Sequence, residues 1–562
     1  MHPLLSAVLL IYPALSQAAP PVSPSAGTIL QQIQPPSAPV TQPPSTSTPK
    51  LNVQGATDVA ESGPGNTPFM VKRIEIVGNT VFDTVTLQAL VAPVEGTNST
   101  VAELNLQVSK ITDYYREQGY LLTRAIVPAQ SIRDGVVRVQ VIEATYGNVI
   151  LNNTSKISDP LLQSALSSLQ SDNIINGNSL DSALLKLSDI PGVLVDAVLT
   201  PGEGAVGTAN LLVETKPGPV LLADMAIDNY GNYYTGRARI GGTINFINPL
   251  NHGDVLSVNA LSSGKGMNYG RLGYESLING YASRLGASYS ALRYVLGDSL
   301  TPLNAHGTAG VASFWVKHPL LRSQDHNIYS SLQYDKLILR DHIDATSIKT
   351  DRQASTLTAS LSGDVRDRFA GVTIWSACGT AGRIDFNNAN AQLADSATAR
   401  TEGNFTRLNI NLSRIQRLSL RDNIHLSYVG QWADSNLDAS QKITAGGVYT
   451  VRAYNMGAVS GDSGYVGTVE WRHDLNLSAA GLVSSQFVAF VDHGHLTVNK
   501  TPWVAGTNGV SLSGIGAGLN LSGSNQWRAR MYVTGRIGGT PQLLANTASA
   551  RAWIEITKSF SQ

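Results

Sequence analysis

The 562-residue chain carries 40 basic and 40 acidic side chains, so its formal charge at pH 7 is zero. That balance excludes the basic surface that holds nucleic acid, and charged residues make up only 14% against roughly 25% in ordinary soluble chains. A single cysteine, Cys378, excludes an internal disulfide and a cysteine-based metal cluster, and reads as a small apolar residue.

Residues 1–19 read as a secretory signal. The apolar run over residues 4–15 is too short to cross a bilayer, and Ser16-Gln17-Ala18 and Gln17-Ala18-Ala19 offer small residues for cleavage. No later segment is an apolar helix long enough to span, so a membrane form of this chain is a β-barrel. Residues 20–67 are rich in Pro, Ser, Thr and Gln, with Pro35-Pro36, Pro39, Pro43-Pro44 and Pro49 forming an extended tether. Within them only residues 28–34 have helical character.

Order is expected from residue 68. Residues 71–77 alternate as a half-buried strand, and Gly78-Asn79 turns it. Residues 86–92 and 101–119 have helical spacing, with Leu104, Val108, Ile111 and Tyr115 on one face and Gly119 as a stop. Residues 120–127 and 136–142 return to strands about Asp134-Gly135. The order strand, helix, helix, strand, strand fills residues 68–145. Residues 146–216 repeat it, with helices over 161–169 and 180–190 and strands over 192–199 and 209–214.

From residue 217 to 562 the texture is short alternating segments between turns of Gly, Asn and Asp. Examples are 221–227, 238–246, 255–262, 281–289, 328–334, 405–412, 424–432, 465–471, 486–491, 514–521, 528–533 and 552–560. The last alternates Ala552, Ile554 and Ile556 with Arg551, Trp553 and Glu555, one face for lipid and one for a polar lumen. The region leaves room for fourteen to eighteen strands of roughly ten residues. Between two of these strands lies Gly446-Gly447-Val448-Tyr449-Thr450-Val451-Arg452-Ala453-Tyr454, a glycine-rich loop carrying one arginine. Further on, Phe490-Val491-Asp492-His493-Gly494 closes a strand-like run. An arginine fork matches a carboxylate, so Arg452 and Asp492 are either a pair or, on spacing alone, two unrelated charges.

These motifs decide between the two. Val451-Arg452-Ala453-Tyr454 resembles the VRGY/F loop of two-partner secretion outer-membrane transporters, and Phe490, Asp492 and Gly494 match that family's F-x-D-x-G strand. Gly78-Asn79-Thr80, Tyr114-Tyr115-Arg116, Gly119-Tyr120, Pro128-Ala129-Gln130 and Asp134-Gly135 resemble its first POTRA domain. Asp228-Asn229-Tyr230-Gly231-Asn232, Thr235-Gly236 and Asn248-Pro249-Leu250 resemble its first barrel hairpin. Two positions depart from the pattern: Ala453 stands where glycine is usual, and Phe560 is followed by Ser561-Gln562.

The resemblance implies a transmembrane antiparallel β-barrel of about sixteen strands preceded by two small α+β POTRA domains in the periplasm. It implies that Arg452 folds inward onto Asp492 and that Tyr115, Arg116, Gly119 and Tyr120 contact the client, with POTRA domains that serve only as spacers as the alternative. The leader helix becomes a plug of the pore or a disordered segment. The implied partners are a secreted exoprotein with an N-terminal secretion domain, outer-membrane lipid and the barrel-assembly machinery. The alternatives are a barrel-insertion protein of the same superfamily and a passive porin. No cofactor, metal or catalytic group is expected: Cys378 and His473-Asp474 lack partners at motif spacing, and His493 and His495 have no third ligand.

Overall fold

The computed structural model describes residues 24–33, 50–53, 67–202, 206–475, 477, 481–544 and 548–562. The signal and most of the proline-rich tether lie outside the described residues.

The first small module packs two helices on a three-stranded sheet, in the order Arg73–Val77, Val136–Ile142, Arg124–Ile126. Phe69–Val71 pairs separately with Thr97–Ser99, so the strand expected over residues 71–77 is broken at Lys72. Helix Thr84–Val91 starts at Asp83, whose carboxylate accepts the Thr86 amide at 2.6 Å. Helix Val101–Glu117 starts at a reciprocal box, with the Thr100 amide donating to Glu103 at 2.8 Å and the Glu103 amide to Thr100 at 3.3 Å. Its Leu104, Val108, Ile111 and Tyr115 face is buried against Ile74, Val137 and Val139.

That packing corrects one of the expected client contacts and gives another a structural role. Tyr115 is fully buried, and its hydroxyl donates to Glu143 at 2.6 Å, so it belongs to the core and not to a docking surface. Gly119 has φ +93°, a left-handed residue that glycine adopts without strain. Its carbonyl accepts the Gly177 amide at 2.8 Å, which makes it the joint between the two modules. Of the four, Arg116 is exposed and Tyr120 half-buried.

Glu143 gathers this corner. Besides Tyr115 it accepts the Thr80 hydroxyl and the Thr80 and Val81 amides. Burial alone would raise its carboxyl, but the bonds from Thr80, Tyr115 and Val81 prevail and hold it below the usual range. A carboxyl lowered on folding stabilises above its unfolded value, about 4.3, and that contribution is lost as pH falls through the lowered folded value. Glu143→Ala leaves a buried hydroxyl unpaired and should cost about 1–3 kcal/mol locally. Hydrogen exchange across residues 69–144 of the full chain should speed up, and unchanged protection would remove Glu143 from the fold's supports.

The second module contains helices Asp159–Ala165 and Gly177–Ser188 on the strands Val193–Pro201, Thr208–Pro217 and Thr145–Asn153. A fourth strand comes from the leader: Lys50–Val53 runs parallel to Val193–Pro201, with Lys50 opposite Asp196 and Val53 opposite Leu199. The sequence reading placed these residues in the tether, because four residues after Pro49 show too little alternation to stand out. This module sits on the barrel through Asp189, which takes both arms of Arg322 at 2.7 and 3.0 Å, and through Asp181, which accepts from Gln324 at 2.9 Å.

Sixteen antiparallel strands form a closed barrel, each bonded to its neighbours in sequence. The first, Leu221–Asp228, closes on the last, Ala550–Ser561, with Ala223 opposite Phe560 and Asp228 opposite Glu555. Closure pairs both edges, which is what lets strands stand in hydrocarbon. The segments named from sequence fall on these strands, except that residues 281–283 and 238 precede Arg284–Val295 and Arg239–Ile247. Met267–Leu277, Ala305–Arg322, Ile348–Arg366 and Gly371–Phe386 make up the rest. Faces alternate as expected: along Leu482–Thr497, Val488, Phe490, Asp492 and Leu496 are buried inward while Val491 and His493 are exposed. The chain between Asp422–Ala433 and Ser463–Asp474 turns back into the lumen, stiffened by a small hairpin of Ile443–Ala445 with Val459–Gly461.

Candidate functional site

The inward loop is pinned at its base and at its tip. At the base Asp462, wholly buried, accepts the Leu437 amide at 3.0 Å and the Lys500 amide at 2.7 Å, and pairs with Lys442 at 2.8 Å. Toward the tip Gly447 has φ +108°, and any side chain there would strike Met456.

At the tip the structure brings Arg452 and Asp492 together. The guanidinium donates through Nε to Oδ2 at 2.9 Å and through Nη2 to Oδ1 at 2.8 Å, while the Arg452 amide reaches Oδ2 at 3.0 Å. Thr468 completes the carboxylate's shell at 2.9 Å. The remaining arm, Nη1, donates to Glu470 at 2.9 Å, and Glu470 takes Arg472 at 2.6 Å on its other oxygen. Two cations and two carboxylates thus balance in a row, the condition under which buried charge is tolerated. The Arg452 Cζ lies 3.2 Å from the Phe490 ring centroid, and the Tyr532 ring is edge-on to Phe490 at 5.8 Å. The Arg452 carbonyl accepts Trp553 Nε1 at 2.8 Å and the Thr534 hydroxyl at 3.0 Å. Strands on three sides therefore hold one residue.

The rest of both motifs follows from space. Val451, Ala453 and Tyr454 are all buried. Gly494 leaves room for Val451: a Cβ there would lie 3.4 Å from its Cγ2 and 3.1 Å from that of Val466. The departure at Ala453 is absorbed across the lumen by Gly514, whose missing Cβ would stand 2.6 Å from the alanine methyl. Sequence reasoning missed Glu470, Thr534 and Trp553. The signal available for Glu470 was its place in Val469-Glu470-Trp471-Arg472, where strand alternation sets both charges on the face opposite Trp471. For Thr534 no such signal existed.

The leader helix, Ala26–Ile33, lies in the same lumen. Eight residues make a marginal helix in water, but Ala26, Ile29 and Leu30 pack on Tyr294, Leu339 and Ala354 of the wall. Its first amide donates to Asp341 at 2.7 Å. Asp341 also takes the Tyr294 hydroxyl and Arg352 Nη1, each at 2.6 Å, and Arg352 Nε reaches Asp438 at 2.5 Å. Near the other end Gln31 donates to the Ser440 carbonyl at 2.7 Å, and Asn232 donates to Gln32 at 2.8 Å. Gly27 fits because a Cβ would come within 2.6 Å of the Ser440 nitrogen. Helix and inward loop are thus one packed unit. His493 and His495 turn away from it, each bonded to a serine, Ser513 and Ser511, at 2.9 Å, and no group able to hold a metal ion occurs among the described residues.

Comparisons with known proteins bear on the whole chain. A family model described as haemolysin secretion/activation protein ShlB/FhaC/HecB matches residues 207–521, and one described as POTRA domain, ShlB-type, matches residues 69–144. The heme/hemopexin transporter protein HuxB of Haemophilus influenzae is 28% identical over 499 residues, 88% of this chain and 87% of that protein. The outer membrane transporter CdiB of Dickeya dadantii is 20% identical, covering 83% of this chain and 82% of that protein. The solved structure of CdiB from Escherichia coli superposes with a TM-score of 0.71 at 19% identity, across 93% of this chain and 94% of that one, which is a likeness of fold.

Proposed function

Since the chain belongs to the haemolysin secretion/activation protein family of outer-membrane transporters, we propose that it exports one large partner exoprotein from the periplasm to the cell surface, held closed at rest by the packed unit of leader helix and inward loop. The carrying observation is the joint occupancy of the lumen. Arg452 is fixed to the wall by Asp492 and Glu470, and the leader helix is seated on Asp341 and Ser440. A diffusion porin has no use for a lumen filled by its own chain.

The two small modules stand at the periplasmic mouth, where the second is bolted to the barrel by Asp189 and Arg322. They receive the unfolded cargo, with Arg116 and Tyr120 as the accessible part of the expected contact set. No nucleotide is needed, because folding outside the cell draws the cargo through. The likeness to HuxB, higher than that to CdiB, favours an exoprotein that handles haem or a haem-binding protein.

The test is secretion of the co-encoded exoprotein from cells carrying this chain or its variants. The intact chain should be recovered in the outer membrane and shift on unheated gels. A chain lacking residues 68–216 should still shift if the barrel inserts, yet release no exoprotein. Secretion surviving that deletion would reduce the modules to spacers.

A further inference from the structure

Two neighbouring hairpin turns on the periplasmic rim carry an unusual combination. Alternate turns of the barrel lie on the side where the second module docks, because the chain enters the first strand from that module. One such turn, at Ser323–Asp325, touches the module through Gln324. The next joins strands Ile348–Arg366 and Gly371–Phe386, and the one after joins Gly403–Arg417 and Asp422–Ala433. The last two turns touch each other: the Gln416 amide group donates to the Phe369 carbonyl at 2.6 Å, and the Arg417 backbone amide to the Ala370 carbonyl at 3.3 Å.

Turn tips are ordinarily polar. Here Phe369, Leu418 and Leu420 stand 66%, 61% and 86% exposed. Around them Arg366, Arg368, Arg417 and Arg421 are all exposed. Asp367 pairs with Arg414 at 2.7 Å and Asp422 with His473 at 2.8 Å, while Asp325, whose carbonyl accepts the Arg366 amide at 2.8 Å, forms no ion pair among the described residues. Among the described residues none of the four arginines has an ion-pair partner; Arg368 lies over the Phe369 ring at 5.1 Å. The apolar tips continue the lipid-facing wall of the same strands, where Leu357, Leu361, Leu408 and Leu412 face outward.

We propose that these two turns form an anchor for anionic phospholipid in the periplasmic leaflet. Phe369, Leu418 and Leu420 dip into the acyl boundary, and the arginines hold headgroup phosphates above them. The occupant follows from the chemistry. Guanidinium forks match phosphate oxygens in bidentate geometry, bulky apolar tips beside cations suit the headgroup boundary, and a soluble anion would leave the three apolar tips in water. The inference rests on the outer-membrane placement and not on the identity of the cargo.

The experiment measures phospholipid retained by full-length protein purified from mixed phosphatidylglycerol and phosphatidylethanolamine bilayers. Native mass spectrometry should show phosphatidylglycerol enriched on the wild type. The R366Q/R368Q/R417Q/R421Q chain should lose that enrichment roughly tenfold, with its gel shift intact. Should that variant fail to insert, wild type compared at low and high salt decides the matter, since phosphate pairing weakens as salt rises. Equal enrichment in the variant, or enrichment indifferent to salt where the variant does not insert, overturns the proposal. Displacement of the lipid by free glycerol phosphate would assign the site to a soluble anion and overturn it as well. A variant that keeps its lipid but stops export would assign the patch to cargo. Failure of the wild-type chain to export, with its phosphatidylglycerol enrichment present and lost in the variant, leaves this anchor standing and falls on the proposed function alone.

Discussion

Arg452→Ala should leave a closed barrel and cut exoprotein release about tenfold or more. The side chain satisfies two carboxylates at once, Asp492 with two arms and Glu470 with the third. Removing it leaves Asp492 without a cation in a crowded lumen, while Glu470 keeps Arg472; breaking one partner of a charged pair costs on the order of 3–5 kcal/mol when water is excluded. The lumen is wetter than a protein core, so about 1–3 kcal/mol is the better expectation. That is enough to free the loop and too little to open sixteen paired strands. Asp492→Ala should be milder, because Arg452 keeps Glu470. Glu470→Gln should be mildest, since its amide oxygen still accepts from Arg452. Arg452→Lys should not rescue, because one ammonium cannot reach both carboxylates from a backbone already fixed by Trp553 and Thr534. Secretion assays on the single and double variants measure this. Within the cycle, Arg452→Ala with Asp492→Ala should be little worse than Arg452→Ala alone. Strictly additive losses would mean that the two residues act apart.

Spacing alone left Arg452 and Asp492 as a pair or two unrelated charges, and the motif resemblance joined them; the motif itself is legible for a physical reason. A barrel strand alternates inward and outward with period two, so one inward carboxylate beside a small residue and an aromatic is a local pattern that survives without its neighbours. Arg452 stood out because a glycine-dense loop seldom carries one charge between Val451 and Tyr454. What completes the site is contributed by strands far along the chain. Thr534 and Trp553 act through single hydrogen bonds to a carbonyl; nothing marks Thr534 in its own segment, and alternation gives Trp553 a face but no partner. Tyr115 is the reverse case. Its place on an amphipathic face already pointed inward, and the motif resemblance drew it out to the surface against that periodicity. The leader strand Lys50–Val53 was illegible for the opposite reason: its partner strand supplies the order, and its own four residues supply almost none.

Deleting residues 26–33 should raise single-channel conductance several-fold while the barrel still inserts. A helix with side chains is about 10 Å across, so one helix standing in the lumen removes a large part of the path for ions. Arg352→Met should go part of the way without touching the helix itself. Arg352 is buried between Asp341, which holds the helix's first amide, and Asp438, two residues before the Ser440 carbonyl that holds Gln31. Without the arginine those two carboxylates face each other unpaired, and both contacts of the helix lose the group that sets their geometry. Loss of the shared cation costs about 1–3 kcal/mol in this lumen, and the helix seat is the softest element able to relieve it. Arg352→Met channels should therefore flicker between the wild-type level and the level of the deletion, because the apolar contacts of Ile29 and Leu30 remain. Planar-bilayer recording of the three proteins measures it. Conductance unchanged by the deletion would show that the helix does not block ions, and a wild-type trace from Arg352→Met would show that Asp341 holds the helix unaided.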